Sequence, residues 1–264
     1  MLEILRSQLL RRLAPAFFAF LLVSACSSGP KAGGPLVLTV GSEATYPPFE
    51  SQGEQGFEGF DIDLFKAAGE AAGFEVEFQN LSFDALIPAL QSGTIDAAIS
   101  AMTITEERAK TVDFSRPYFK AGLAIAVQDS DSTIQSLADL KDKKIAVQIG
   151  TTGAAEAAKV EGATVVTFEN APLALQELSN KNVDAVINDS PVTLDAIATG
   201  NVKGIKVVGE LLTEEFYGIA FPKGSKNLAK VNEGIDSIIA SGKYAEIYKK
   251  WFGAEPPTLP ATQP

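Results

Sequence analysis

Histidine is absent from this chain of 264 residues. That removes the commonest general base and the commonest metal ligand, so triad hydrolysis and zinc chemistry start with little support, and no metal or cofactor is expected. Cysteine occurs once, at Cys26. A membrane-spanning run is also missing at the N-terminus, where the apolar stretch Leu13 to Val23 is short of the ~20 residues a spanning helix needs. Positive charge is scarce, with 22 basic against 33 acidic residues and a net charge of −11, which argues against nucleic acid as a partner.

What is present starts with a leader. Arg6, Arg11 and Arg12 precede the apolar stretch, so residues 1–25 look like a secretion signal. Leu22-Val23-Ser24-Ala25-Cys26 resembles the lipobox of bacterial lipoproteins, which implies lipidation at Cys26; the plainer alternative is an ordinary signal peptide with a spare thiol. Residues 26–35 then form a flexible tether rich in Gly, Pro and Ser. Loss of residues 1–25 removes three arginines and one glutamate and leaves a net charge of −13.

From Leu36 the pattern alternates strand and helix. Leu36 to Val40 is a strand, and Tyr46-Pro47-Pro48-Phe49 lies in the extended loop that leaves it. Asp61 is placed to cap a helix that ends at Gly73. Phe74, Val76 and Phe78 alternate with polar residues as a half-buried strand. Asp84 is placed to cap a second helix with Pro88 in its first turn, and Ile95 to Ala101 reads as a buried strand. This order implies a mostly parallel sheet with ligand bound beyond its strand ends. Lys144 to Asp189 repeats the plan, and Val183 to Asp189 echoes Ile95 to Ala101 in residue type. The echo implies two similar lobes, or else chance likeness between two buried strands. Leu123 to Val127 and Tyr217 to Phe221 flank the second stretch, so the chain crosses between lobes twice. Residues 254–264 are Pro-rich and expected to fray.

Arg108 follows the helix-start hydroxyls Thr103 and Thr105. A cation at the positive end of a helix is disfavoured by ~0.3 to 1 kcal/mol, so Arg108 either swings into water or meets an anion. The loop Ser100, Ala101, Met102 and Thr103 adds backbone N–H groups. The second stretch offers Thr151 and Thr152 at a helix start, and Asp189. An arginine fork suits a carboxylate and Asp189 suits an ammonium, so together they suit an α-amino acid. Singly, Arg108 has plainer uses with Glu106 or Asp113, Asp189 as a helix cap, and Phe83 as core.

Six motifs together resemble the polar amino-acid-binding proteins of bacterial ABC importers, the family 3 solute-binding proteins, over nearly all of the chain after the tether. They are Tyr46 to Glu50, Gly59 to Leu64, Phe83 to Pro88, Ile104 to Arg108, Gln148 to Gly153 and Tyr248 to Phe252. The resemblance implies an α/β, type II periplasmic-binding-protein fold, with two α/β lobes joined by a two-strand hinge around a ligand cleft. Lobe one is expected at 36–122 and 219–253, lobe two at 123–218 with the hinge strands.

By motif position, Arg108 would grip the ligand carboxylate with Thr103 and Thr152, while Asp189 and the Ala101 carbonyl receive the ammonium. Tyr46 and Phe83 would sandwich the side chain, and Glu43 and Gln148 would meet its polar end. Many relatives carry a serine pair where this chain has Ser100-Ala101, so only backbone can serve at 101. The implied protein is a monomeric extracytoplasmic lipoprotein that binds a free L-amino acid for an ABC permease. A basic ligand, arginine first, is expected because Glu43 opposite glutamine would be a buried carboxylate with an uncharged partner. A glutamine binder and a cyclic-acid dehydratase on the same fold are the alternatives, although no proton donor other than Glu43 suggests itself.

Overall fold

Period-two alternation builds the sheets, and the computed structural model describes them within residues 36–262. The expected signal peptide, Cys26 and the expected tether lie outside the described residues. The first run of elements is β1 (Leu36–Ser42), β2 (Thr45–Tyr46), β3 (Glu50–Gly53), β4 (Gly56–Glu58), α1 (Phe60–Ala72), β5 (Phe74–Asn80) and α2 (Phe83–Ser92). It continues with β6 (Ala97–Ala98), α3 (Glu106–Ala109), β7 (Val112–Phe114) and β8 (Phe119–Ala121). The middle run is β9 (Leu123–Gln128), a 3-10 turn, β10 (Lys144–Gln148), α4 (Thr152–Ala157), β11 (Thr164–Phe168), α5 (Ala171–Ser179), β12 (Ala185–Asp189), α6 (Ser190–Ala198) and β13 (Ile205–Val208). The chain then returns through β14 (Glu215–Tyr217), β15 (Ala220–Pro222), α7 (Leu228–Ala240) and α8 (Lys243–Phe252).

Two five-stranded sheets share one plan. Their orders are β5-β1-β6-β15-β7 and β11-β10-β12-β9-β13, and in each the fourth strand runs antiparallel to the other four. The echoed segments supply the central strand of each sheet. Asp96 accepts the Thr39 amide at 2.9 Å, and Asp184 accepts the Lys144 amide at 2.8 Å. The likeness of the two segments is therefore structural, since each aspartate ties the start of its strand to the neighbouring strand in the same way.

Packing follows from alternation. Along β9, Leu123, Ile125 and Val127 enter one core of the second lobe, while Ala126 enters the core on the opposite face of the sheet. In the first lobe, the motif Tyr248 to Phe252 is structural. Tyr248 and Phe252 of α8 pack on Phe119, whose ring lies 4.8 Å from that of Phe49. Phe119 also stacks on Tyr217 at 5.5 Å. That contact joins β8 and β14, the antiparallel pair that connects the lobes.

Several local expectations give way to tertiary demands. Asp61 does not cap α1; it is the helix's second residue and fully buried. Asp84 lies in the first turn of α2 with Ser82 before it, and Pro88 falls inside the helix rather than in its first turn. Tyr217 to Phe221 is two strands, because β14 pairs in the hinge and β15 in the first sheet. The tail is docked as far as it is described, with Leu259 against the core and the Pro260 carbonyl accepting from Arg116 at 3.4 Å. No helix among the described residues is long and apolar enough to cross a membrane.

Candidate functional site

Eleven of the twelve binding residues expected from the sequence line one cavity between the two sheets. They are Glu43, Tyr46, Phe83, Ser100, Ala101, Thr103 and Arg108 from the first lobe, and Gln148, Thr151, Thr152 and Asp189 from the second. Met102 is the exception. Its side chain is fully buried beside Leu86, Phe114 and Ala220, because alternation along this segment turns it away from the cavity.

Arg108 anchors one end, though not for the reason its sequence position suggests. α3 has four residues, Thr105 caps it by accepting the Arg108 amide at 3.2 Å, and Arg108 lies in its last turn. So short a helix has little dipole, and the premise of a cation at a positive terminus fails. The side chain pairs with neither Glu106 nor Asp113. Instead Nη1 donates to the Thr103 carbonyl at 2.7 Å and Nη2 to the Gly150 carbonyl at 3.0 Å. The guanidinium also lies over Phe83, 5.2 Å from the ring centroid, so this aromatic face holds the protein's own cation. Burial lowers the arginine's pKa, with Glu215 and Asp189 opposing the shift. Two of five guanidinium N–H groups serve carbonyls, and the rest remain for an anion.

Asp189 anchors the other end. It occupies the N-cap position of α6, where Pro191 follows, yet its side chain makes no capping bond. Tyr46 Oη donates toward Asp189 Oδ2 at 2.7 Å and toward Asn188 Oδ1 at 3.0 Å. Asp189 Oδ1 is buried without a hydrogen-bond partner; Tyr217 Oη is near enough to hold the carboxyl's pKa down but lacks bonding geometry. Burial is the largest influence on this group and raises its pKa to about 7, helped by the negative charge of Glu215.

Glu43 and Gln148 meet across the lobes, Gln148 Nε2 donating to Glu43 Oε2 at 2.6 Å. Thr45 donates to the other Glu43 oxygen at 3.0 Å. Burial raises the Glu43 pKa, and Asp84 and Glu169 push it the same way. Ala101 has φ 45°, a left-handed conformation that costs a non-glycine residue ~1 to 2 kcal/mol. Its amide donates to Asp61 at 2.8 Å. Thr151 caps α4, accepting the Ala154 amide at 3.1 Å, and donates to the Gln148 carbonyl at 2.8 Å.

Thr103 and Thr152 expose a residue that sequence reasoning missed. Their hydroxyls donate to Glu215 Oε2 at 2.6 and 3.0 Å, and Thr213 donates to Oε1 at 3.1 Å. Glu215 is 6% exposed and sits on hinge strand β14 between the lobes. With their protons committed to Glu215, the two threonine hydroxyls are not free donors for a ligand carboxylate. A signal was present in the sequence: Glu215 shares its strand face with Tyr217, two residues on. Asn188, also missed, was visible inside the echoed segment beside Asp189.

Comparison with known proteins bears on this arrangement. Residues 38–254 match the model for bacterial extracellular solute-binding proteins, family 3. A probable histidine-binding protein of Neisseria gonorrhoeae is 36% identical over 89% of this chain and 92% of its own length. An L-arginine-binding protein of Pseudomonas aeruginosa is 37% identical over 81% of this chain and 86% of its own. Among solved structures, an ancestral arginine-binding protein bound to arginine superposes with a TM-score of 0.79 at 49% identity, covering 82% of this chain and 98% of that one. An ancestral amino acid-binding protein that is a precursor of cyclohexadienyl dehydratase gives 0.75 at 42%, covering 82% and 95%.

Proposed function

The chain belongs to the bacterial extracellular solute-binding proteins of family 3, and we propose that it captures a free basic amino acid, arginine before others, and presents it to an ABC permease. One observation carries this reading. An arginine with unused N–H groups and a buried aspartate oxygen without a partner line the same cavity.

The carboxylate would lie on Arg108 and the ammonium on Asp189 and the Ala101 carbonyl. Because these groups belong to different lobes, the ligand favours the closed form by differential affinity. Cross-lobe bonds support such a state, from Tyr46 to Asp189 and Asn188, Gln148 to Glu43 and Arg108 to Gly150. A ligand cation at the far end would offset Glu43, whose hydrogen-bond donors are the uncharged Gln148 and Thr45. Glutamine would leave that carboxylate uncompensated. A dehydratase needs an acid at the substrate, whereas Glu43 accepts hydrogen bonds at both oxygens.

The reading extends to the rest of the chain: signal peptide 1–25, lipid attachment at Cys26, lobe one at 36–122 and 219–253, lobe two at 123–218, and a monomeric, extracytoplasmic protein. Calorimetry against a panel of amino acids tests the ligand. Arginine, lysine or histidine should bind at micromolar or tighter while glutamine does not, and Glu43→Gln should reverse that preference. Glutamine binding best to the wild type would refute it.

A further inference from the structure

Behind the cavity lies a second carboxyl pair. Glu50 and Asp61 are both 0% exposed and within hydrogen-bond reach of each other. Glu50 Oε1 accepts from Ser100 Oγ at 2.7 Å, and Ser100 Oγ in turn accepts the Glu43 amide at 3.1 Å. Asp61 Oδ2 accepts from the Ala101 amide at 2.8 Å and from Tyr118 Oη at 2.7 Å. Each carboxyl thus holds one of two consecutive cavity residues. The remaining oxygens, Glu50 Oε2 and Asp61 Oδ1, are buried and receive no N–H or O–H. The titratable groups facing the pair are Glu43, Tyr46 and Tyr118, all acids, so no cation compensates a second negative charge.

We propose that Glu50 and Asp61 share one buried proton and together act as the positioning device that holds Ser100 and Ala101 in their binding conformation. Two adjacent carboxylates in an apolar interior cannot both stay ionised, and one proton between them satisfies both orphaned oxygens. Glu50 carries it. Asp61 already receives two donors that favour its charged form, whereas Glu50 receives one. Consistent with this, burial and the neighbouring Asp61 hold Glu50 well above the usual carboxylate range, while Asp61 rises to about 7. Glu50 Oε2–H therefore donates to Asp61 Oδ1. Asp61 keeps the Ala101 amide turned inward, which leaves the Ala101 carbonyl for the cavity and sustains its left-handed backbone. This explains why both motifs carry acids: Tyr46 to Glu50 ends on one and Gly59 to Leu64 contains the other.

Glu50→Gln is the diagnostic variant, since an amide keeps the acceptor for Ser100 and replaces the shared proton with an N–H. The infrared spectrum of the wild type minus that of Glu50→Gln at pH 8.5, above the titration of Asp61 and Asp189, should show a protonated-carboxyl carbonyl band; its absence overturns the shared proton. The melting temperature gives a second readout. A carboxyl held neutral in the fold contributes stability that is lost as pH rises from its ordinary value of 4.5, so Glu50→Gln should gain on the wild type from pH 4.5 to 8. Parallel profiles would refute this.

The effect on affinity rests on the amino-acid reading above. Glu50→Gln should keep the dissociation constant within about threefold, while Glu50→Leu weakens it by at least about tenfold, roughly one buried hydrogen bond. Should Glu50→Leu not fold, Ser100→Ala cuts the same link with both carboxyls intact and should also cost about tenfold. Unchanged affinity in Ser100→Ala, or a tenfold loss in Glu50→Gln, overturns the positioning role. If the wild type binds no amino acid, the functional reading fails, and the infrared band and melting profiles still decide the proton.

Discussion

Lowering the pH should release the ligand by protonating Asp189. Its carboxyl titrates at about 7, and only the ionised form attracts an ammonium. The free amino acid keeps its ammonium and carboxylate charged from pH 7.5 to 5. Binding below pH 7 must therefore expel a proton, and affinity falls about tenfold per pH unit. From pH 7.5 to pH 5 the loss is roughly 75-fold, ~2.5 kcal/mol. Calorimetry in buffers of different ionisation enthalpy reads both quantities. The proton released per ligand should rise from about one half at pH 7 toward one at pH 5.5. Glu43, also raised by burial, steepens the loss for basic ligands, so a neutral amino acid with Glu43→Gln, and Asp189→Asn, isolate the Asp189 contribution. The sign for stability is opposite. Holding Asp189 neutral contributes stability at low pH that is lost as pH rises from 3.8 through about 7, so Asp189→Asn should melt higher than the wild type at pH 8 while binding poorly. An affinity constant within threefold down to pH 5 in folded protein, or an undiminished slope in Asp189→Asn, would refute the reasoning.

Arg108→Ala should abolish binding of every amino acid, and Arg108→Lys should still lose more than about tenfold because an ammonium cannot make the planar fork; calorimetry decides both. Tyr46→Phe removes the lobe-to-lobe donor to Asp189 Oδ2 and Asn188 Oδ1. It should weaken binding by about tenfold and move the pH midpoint of binding upward, and an unshifted midpoint would contradict the role given to that hydroxyl. Gly59→Ala should destabilise the fold by more than ~2 kcal/mol in urea denaturation. Gly59 has φ 138°, and a Cβ there would sit 2.0 Å from the Phe49 carbonyl oxygen.

Much of this molecule was legible in one dimension. The α/β order, the strand from Phe74 and the helix end at Gly73 could be read from periodicity and turn chemistry, and Arg108, Thr103, Thr151, Thr152 and Asp189 from their placement at element ends, whereas Glu43, Tyr46, Phe83 and Gln148 were expected in the cavity only from the family resemblance. What was misread has a common cause. Asp61 and Asp84 looked like caps because local hydrogen bonding is all that a sequence window contains; the Asp61 side chain is instead taken by Ala101 and Tyr118, 40 and 57 residues away. Tyr217 to Phe221 looked like one strand, but its two halves find partners in different sheets.

The sequence by itself determined the periodicities and the supply of chemistry: no histidine, an arginine shortly after the first echoed strand and an aspartate at the end of the second, and acids beside aromatics in the early motifs. Tertiary structure decided their use. It buried Glu215 among three threonines, moved Arg108 from a helix start onto Phe83 and two carbonyls, and set Glu50 against Asp61. Charge states and hydrogen-bond partners depend on what lies within a few ångströms, and for these groups nearly every such neighbour is distant along the chain.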